Sequence, residues 1–151
     1  MPEIETESRE SGMDAGAAFV TYVPPVAFAI LMIASARIAP WSLLRIAGAV
    51  MAVVGLTFLT VARLQLGNSF SITPQAKRLV THGLYSRVRH PVYIFGWLAV
   101  SGLMLYFNQP KFLWLMTLLI PMQVARARAE DRVLAQHFGD EYAAYRARTW
   151  F

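Results

Sequence analysis

The sequence contains no cysteine. Disulfides, thiolate metal sites and cysteine nucleophiles are therefore excluded. Charge is also scarce: 15% of the residues are charged, where a globular protein has about 25%. A chain of this size with so few polar side chains cannot cover its own surface, which disfavours a water-soluble monomer. Residues 1–15 lack the basic n-region and cleavage site of a secretory leader. They are acidic and without an apolar run, so a disordered tail is expected there, with the hydrophobic segment that follows retained. No G-x-G-x-x-G or Walker A motif is present, so a soluble nucleotide fold is not indicated. Ser86 and Ser101 lack the context of a nucleophile elbow. His82, His90 and His137 are the only histidines, and their spacing matches no metal motif, so no metal is expected. Nothing points to nucleic acid, and the oligomeric state is left open.

What the sequence has is apolar length. Hydrophobic residues make up 56% of the 151, against about 45–50% in ordinary domains. They fall into runs at roughly 16–36, 41–62, 91–107 and 111–125. The first can span about 30 Å at ~1.5 Å per residue. Pro24 and Pro25 predict a kink in it, or a helix that begins there. In the second, Arg45 is expected to snorkel to the interface beside Trp41. The third and fourth are short and flank Asn108-Gln109-Pro110, which reads as the turn of a tight helical hairpin. They reach spanning length if their helices continue into the polar flanks, or if the bilayer thins locally. Beyond them, 126–151 has the pattern of an amphipathic helix broken at Gly139.

The expected fold class is therefore all-α and integral to the membrane, with about four transmembrane helices. A C-terminal hairpin and a cytoplasmic amphipathic tail helix complete it. Three parts follow: the tail 1–15, two N-terminal spans in 16–62, and a core over 63–151. Residues 1–59 carry three basic and five acidic groups, whereas 60–151 carry eleven and four. Four spans place both termini and the 63–90 loop on one side. Beyond the N-terminal tail, that side gathers ten of the fourteen basic residues, which makes it cytoplasmic by the positive-inside rule in an inner or plasma membrane.

Polar residues concentrate in 77–93 and 126–148, on either side of the hairpin and on one face of the membrane. The central expectation is that the two segments are neighbours in space. Pro91 suits the first position of a helix, so the third span should open there. Its first turn would offer N–H groups beside Arg89 and His90 to an anion. The residues alone leave plainer readings open. Arg87 and Arg89 also serve as positive-inside anchors, and Glu130-Asp131 as i,i+4 partners of Arg126. Phe138, Tyr142 and Tyr145 read as packing residues.

Together, the segments resemble the isoprenylcysteine carboxyl methyltransferases and their relatives, the phospholipid methyltransferases. The first runs Leu79-Val80-Thr81-His82-Gly83-Leu84-Tyr85, then Arg89-His90-Pro91-Val92-Tyr93 with Gly96 beyond. The second runs Glu130-Asp131, Leu134, Phe138-Gly139-Asp140-Glu141-Tyr142, Tyr145 and Arg148. The resemblance covers about 66–148. It implies an integral-membrane methyltransferase that uses S-adenosylmethionine and takes a lipophilic small molecule or lipid from the bilayer. Carried over by position, it implies that Leu79, Val80, His82, Gly83, Tyr85, Arg89, His90, Pro91, Tyr93, Glu130 and Glu141 bind the cofactor. Arg126, Glu130 and Arg148 are the implied catalytic residues, with the arginines orienting a carboxylate acceptor. Carboxyl O-methylation is the leading reading. The alternatives are phospholipid or amine N-methylation on the same scaffold, or a non-catalytic membrane subunit. The family's histidine two residues before Leu79 is replaced by Lys77.

Overall fold

The computed structural model describes residues 15–38, 40–67 and 79–151. The expected acidic tail, apart from its last residue, and the basic pair Lys77-Arg78 lie outside the described residues. Four helices make up the fold: α1 (Ala15–Ser35), α2 (Leu43–Leu66), α3 (Pro91–Tyr106) and α4 (Leu113–Arg148). Short 3-10 turns at Gly83–Ser86 and Pro110–Phe112 precede α3 and α4. Among the described residues the only β pairing is an isolated parallel bridge between Val88 and Trp150.

Each helix has a local cause. Ser42 caps α2, its hydroxyl accepting from the Arg45 amide at 3.2 Å. Gly67, at φ +52°, ends that helix by returning its N–H to the Arg63 carbonyl. Pro91 opens α3 as expected, and Asn108 takes the positive φ (55°) of the turn after it. Two readings left open by the sequence narrow here. α1 neither begins nor stops at Pro24-Pro25 but runs through both. Proline removes a donor, and the rest of a helix in an apolar setting stays paired because its backbone has no better partner. α4 is likewise continuous past Pro121, so the fourth apolar run and the tail form one 36-residue helix, non-helical only at Gly139. The short fourth run thus gains its length from the polar flank.

The close antiparallel pair is α2 with α3, and α4 meets α3 only sparsely. The reason is a seam of small residues. Gly48, Ala52 and Gly55 on α2 face Ala99 and Gly102 on α3. A Cβ built on Gly102 would stand 2.8 Å from the Ala52 Cα and from the Gly48 carbonyl oxygen, so backbone meets backbone. Such seams hold helices together by van der Waals contact where lipid removes the hydrophobic drive. Phe58 stacks on Phe95 further along, ring centroids 4.9 Å apart.

At the Tyr106 end of the seam, Arg45 is buried and does not snorkel. Its Nη2 donates to the Ser35 carbonyl at 2.7 Å and to the Tyr106 hydroxyl at 3.0 Å. The guanidinium also lies over the Trp41 and Tyr106 rings, 5.0 and 4.5 Å from their centroids. Tyr106 passes a hydrogen bond to the Met32 carbonyl at 2.7 Å. The Ser35 carbonyl, the Tyr106 hydroxyl and two aromatic faces thus hold the cation inside the protein.

Elsewhere the helices are bare on the outside. Leu43 is 84% exposed, Ile33 73% and Met122 64%. α2 is long and apolar enough to cross a membrane; Thr21–Ser35 and Pro91–Tyr106 are shorter apolar helices. At the end opposite Arg45, Ala62, Val80 and Tyr85 form a small core with Leu66, Leu84 and Val92. The polar residues gather around it.

Candidate functional site

Two segments build the site: the loop 79–90 running into α3, and α4 from Arg126 onward. The loop is held to α2 by the Leu84 amide, which donates to Gln65 Oε1 at 2.8 Å. Gly83 sits against the same glutamine side chain at φ +61°, a conformation that favours glycine. Trp150 and Phe151 pair with the loop on its other edge. The Trp150 amide donates to the Arg87 carbonyl at 2.9 Å, and the Arg89 and His90 amides donate to the Phe151 carbonyl at 2.9 and 3.2 Å. Within the first turn of α3, where N–H groups are expected to face an anion, the Tyr93 and Ile94 amides donate to the His90 carbonyl at 3.1 and 3.3 Å.

Across from the loop, Glu130 and Asp131 point inward from α4. The two carboxylates hold His90 between them. His90 Nε2 is 3.0 Å from Asp131 Oδ1, and Nδ1 is 3.7 Å from Glu130 Oε2. Arg89 Nη1 donates to Asp131 Oδ2 at 3.3 Å, and the Tyr93 hydroxyl donates to Glu130 Oε2 at 3.1 Å. Both ions of the Arg89–Asp131 pair are more than four-fifths buried, at 15% and 18% exposure, so the pair is not a solvated surface contact. Arg126 holds its guanidinium 6.0 Å from the Tyr93 ring centroid.

α4 bends back to complete the cluster. Eleven residues of straight helix would separate Asp131 from Tyr142 by about 16 Å, beyond the joint reach of the two side chains. At Gly139 the backbone leaves the helix (φ 51°, ψ −121°), and the Tyr142 hydroxyl donates to Asp131 Oδ1. Tyr145, one turn later, donates to the Tyr85 carbonyl at 2.8 Å. Burial, followed by the Glu130 charge, raises the Tyr85 phenol above its ordinary range. Burial, followed by the hydrogen bond to Asp131, does the same at Tyr142, and burial pushes Tyr145 up to about 12. All three phenols stay neutral, and Tyr142 and Tyr145 act as donors.

The structure brings together Arg89, His90, Pro91, Tyr93, Glu130 and Arg126 of the residues named from sequence. Others lie differently. Val80 and Tyr85 are core, Leu79 is half-buried beside them, and the His82 side chain is exposed before the 3-10 turn. Glu141 is exposed and makes no side-chain hydrogen bond or ion pair among the described residues. Arg148 donates through Nε to the Ala144 carbonyl of its own helix at 3.3 Å. Sequence reasoning placed Asp131 in the motif but gave it no cofactor-binding or catalytic role, although it receives His90, Arg89 and Tyr142. It also read Tyr142 and Tyr145 as packing and passed over Gln65. The Gly139 break, which was noted, is the signal that could have led to the two tyrosines.

Two features of the cluster are left open. Arg89 Nε is buried without a hydrogen-bond partner among the described residues. On the Tyr93 side of α3, three residues on, a Cβ added at Gly96 would meet nothing within 4 Å. With Glu130 37% exposed, the cluster presents a donor, an acceptor and unfilled space together.

Comparison with known proteins identifies relatives of this chain. Residues 37–141 match the family model of the phospholipid methyltransferases. Over 94 residues the chain is 37% identical to the protein-S-isoprenylcysteine O-methyltransferase of Schizosaccharomyces pombe, covering 58% of this chain and 39% of that protein. Over 105 residues it is 30% identical to the protein-S-isoprenylcysteine O-methyltransferase of Saccharomyces cerevisiae, covering 66% and 44%. The chain thus spans about two fifths of the length of the curated relatives it matches. The matched family region contains α2, the loop, α3 and α4 as far as Glu141, and so includes the cluster around His90. The chain belongs to the phospholipid methyltransferase family.

Proposed function

We propose that this chain is a multi-pass membrane methyltransferase that uses S-adenosylmethionine to O-methylate the carboxylate of a lipophilic substrate. The observation that carries the reading is the joining of the two motif segments. Arg89, His90 and Tyr93 at the start of α3 engage Glu130 and Asp131 of α4. All four helices cross the bilayer in this reading, with the cluster and both termini on the cytoplasmic side.

The residues present fit the cofactor. Arg89 has an unused buried donor for its carboxylate, and Glu130 offers an acceptor to its amine or ribose hydroxyls. The Tyr93 face suits a sulfonium, and the space in front of Gly96 is unfilled. When bound, S-adenosylmethionine supplies an electrophilic methyl group. A carboxylate acceptor is already a nucleophile, so the chain has no proton to remove; its task is to hold the acceptor in line. Arg126, beside Tyr93 and Glu130, is the arginine best placed to orient it. Arg148 and Glu141 lie further from the cluster's contacts and take supporting roles at most. The exposed apolar faces of α1, α2 and α4 suit a substrate that arrives from lipid.

Transfer of radiolabel from the methyl donor by the purified full chain, with a membrane lipid extract and a prenylated carboxylate as acceptors, tests the reading. Base-labile label that leaves as methanol is expected. Label in base-stable lipid amines would favour N-methylation, and no transfer by folded protein would overturn the enzyme reading.

A further inference from the structure

Tyr142 is 2% exposed and lies beyond the Gly139 bend. Its hydroxyl donates to Asp131 and also faces Arg89, and Asp131 is where the site's two basic groups converge. One carboxylate oxygen, Oδ1, accepts from both Tyr142 and His90, the latter at 3.0 Å. The other, Oδ2, accepts from Arg89 at 3.3 Å. The terminal torsion of an aspartate is broad and roughly two-fold, so the side chain alone does not select this orientation. Two donors flanking one oxygen and a third on the other do select it. With the hydroxyl removed, the carboxylate can rotate to favour Arg89 or His90, and the two need no longer be held together.

We propose that Tyr142 is a positioning residue of the cofactor site: acting through Asp131, it holds the His90 ring and the Arg89 guanidinium in one fixed relation. The proposal rests on the cofactor reading above. It explains why α4 is interrupted where it is, since only the positive φ at Gly139 lets a residue eleven positions on reach Asp131. Tyr145 provides an internal control. It shares the same segment and the same burial but donates to the Tyr85 carbonyl, not to Asp131.

The test uses the full chain in detergent, with Tyr142→Phe, Tyr145→Phe, Asp131→Asn and the Tyr142→Phe/Asp131→Asn double variant. Two readouts are taken: the ring 15N signals of labelled histidine without ligand, and calorimetric affinity for S-adenosylhomocysteine. His82 and His137 are both exposed, and substituting each assigns the His90 signal. Tyr142→Phe is expected to move the His90 Nε2 signal and weaken affinity about 10-fold, the scale of one charge-assisted hydrogen bond. Its melting temperature should stay within about 2 °C of wild type. Tyr145→Phe should leave the His90 signal in place. Asp131→Asn, which keeps Tyr142, should move it too, and adding Tyr142→Phe should then change nothing more. An unmoved His90 signal in Tyr142→Phe or Asp131→Asn, or additive losses in the double variant, would overturn the proposal. Should wild-type protein bind no S-adenosylhomocysteine, the cofactor reading fails, and the His90 signal alone decides the Tyr142 coupling.

Discussion

Two glycines in α3 should respond to the same substitution with opposite signs. At Gly102 a methyl group would stand 2.8 Å from the Ala52 Cα and from the Gly48 carbonyl oxygen. Comfortable contact begins near about 3.5 Å, and both neighbours are backbone, which cannot swing away as a side chain can. The helices must therefore separate by roughly 0.7 Å or more, a gap that forfeits about a quarter to a half of each contact's well depth. Overpacking of this kind costs about 1–3 kcal/mol, and spread along the seam we expect the upper part of that range. At Gly96 the same methyl meets nothing within 4 Å. There Ala removes glycine's helix penalty, for a gain of roughly 0.5–1 kcal/mol. Thermal unfolding of purified protein in one detergent reads both. Gly102→Ala should melt about 5–10 °C below wild type and Gly96→Ala at or slightly above it. The more stable variant should nevertheless lose activity, and Gly96→Leu should lose more, because the space it fills is the proposed site. Equal destabilisation by the two alanines would refute the seam. A fully active Gly96→Leu would refute the placement of the site.

Arg45→Ala should cost about 3 kcal/mol, from two buried hydrogen bonds made by a charged group and two cation–π contacts. Affinity for S-adenosylhomocysteine should be unchanged, because Tyr106 lies about 22 Å of helix from Pro91; a comparable loss of affinity would contradict that separation. Tyr145 predicts an alkaline limb of stability. Burial raises its folded pKa to about 12 from an ordinary 10.0, so the folded state holds the proton longer. Its contribution is complete below about pH 10 and is lost as the pH rises through about 12. Denaturant titrations across that window should show a shallower decline in Tyr145→Phe than in wild type, and an unchanged slope would assign the limb to other groups.

Much of this arrangement is legible in the sequence because it depends on local chemistry. Pro91 announces the start of α3, Gly139 announces a break, and two polar segments separated by a hairpin-sized apolar stretch announce a shared site. What the sequence hides depends on partners contributed from a distance. Arg45 looks like an interfacial anchor until Ser35 and Tyr106, from two other helices, are seen to accept its protons. Pro24-Pro25 looks like a boundary because the helix-breaking rule assumes a water-exposed backbone with somewhere else to turn. The partner of the loop before α3 is hidden because Phe151, some sixty residues away, is what the Arg89 and His90 amides bind. Asp131 was overlooked beside Glu130 because the Tyr142 contact exists only once the chain bends at Gly139.

The central claim is that the cluster around Glu130 binds a methyl donor. Calorimetric titration of S-adenosylhomocysteine into wild type, Glu130→Gln and Lys111→Ala tests it most directly. Lys111 lies in the 3-10 turn before α4, beyond the opposite end of α3. The account predicts saturable binding to wild type and Lys111→Ala with similar affinity, and a loss of about 10-fold or more in Glu130→Gln, since a charged acceptor at the proposed site is removed. No binding to folded wild type, or equal affinities in all three proteins, would contradict it.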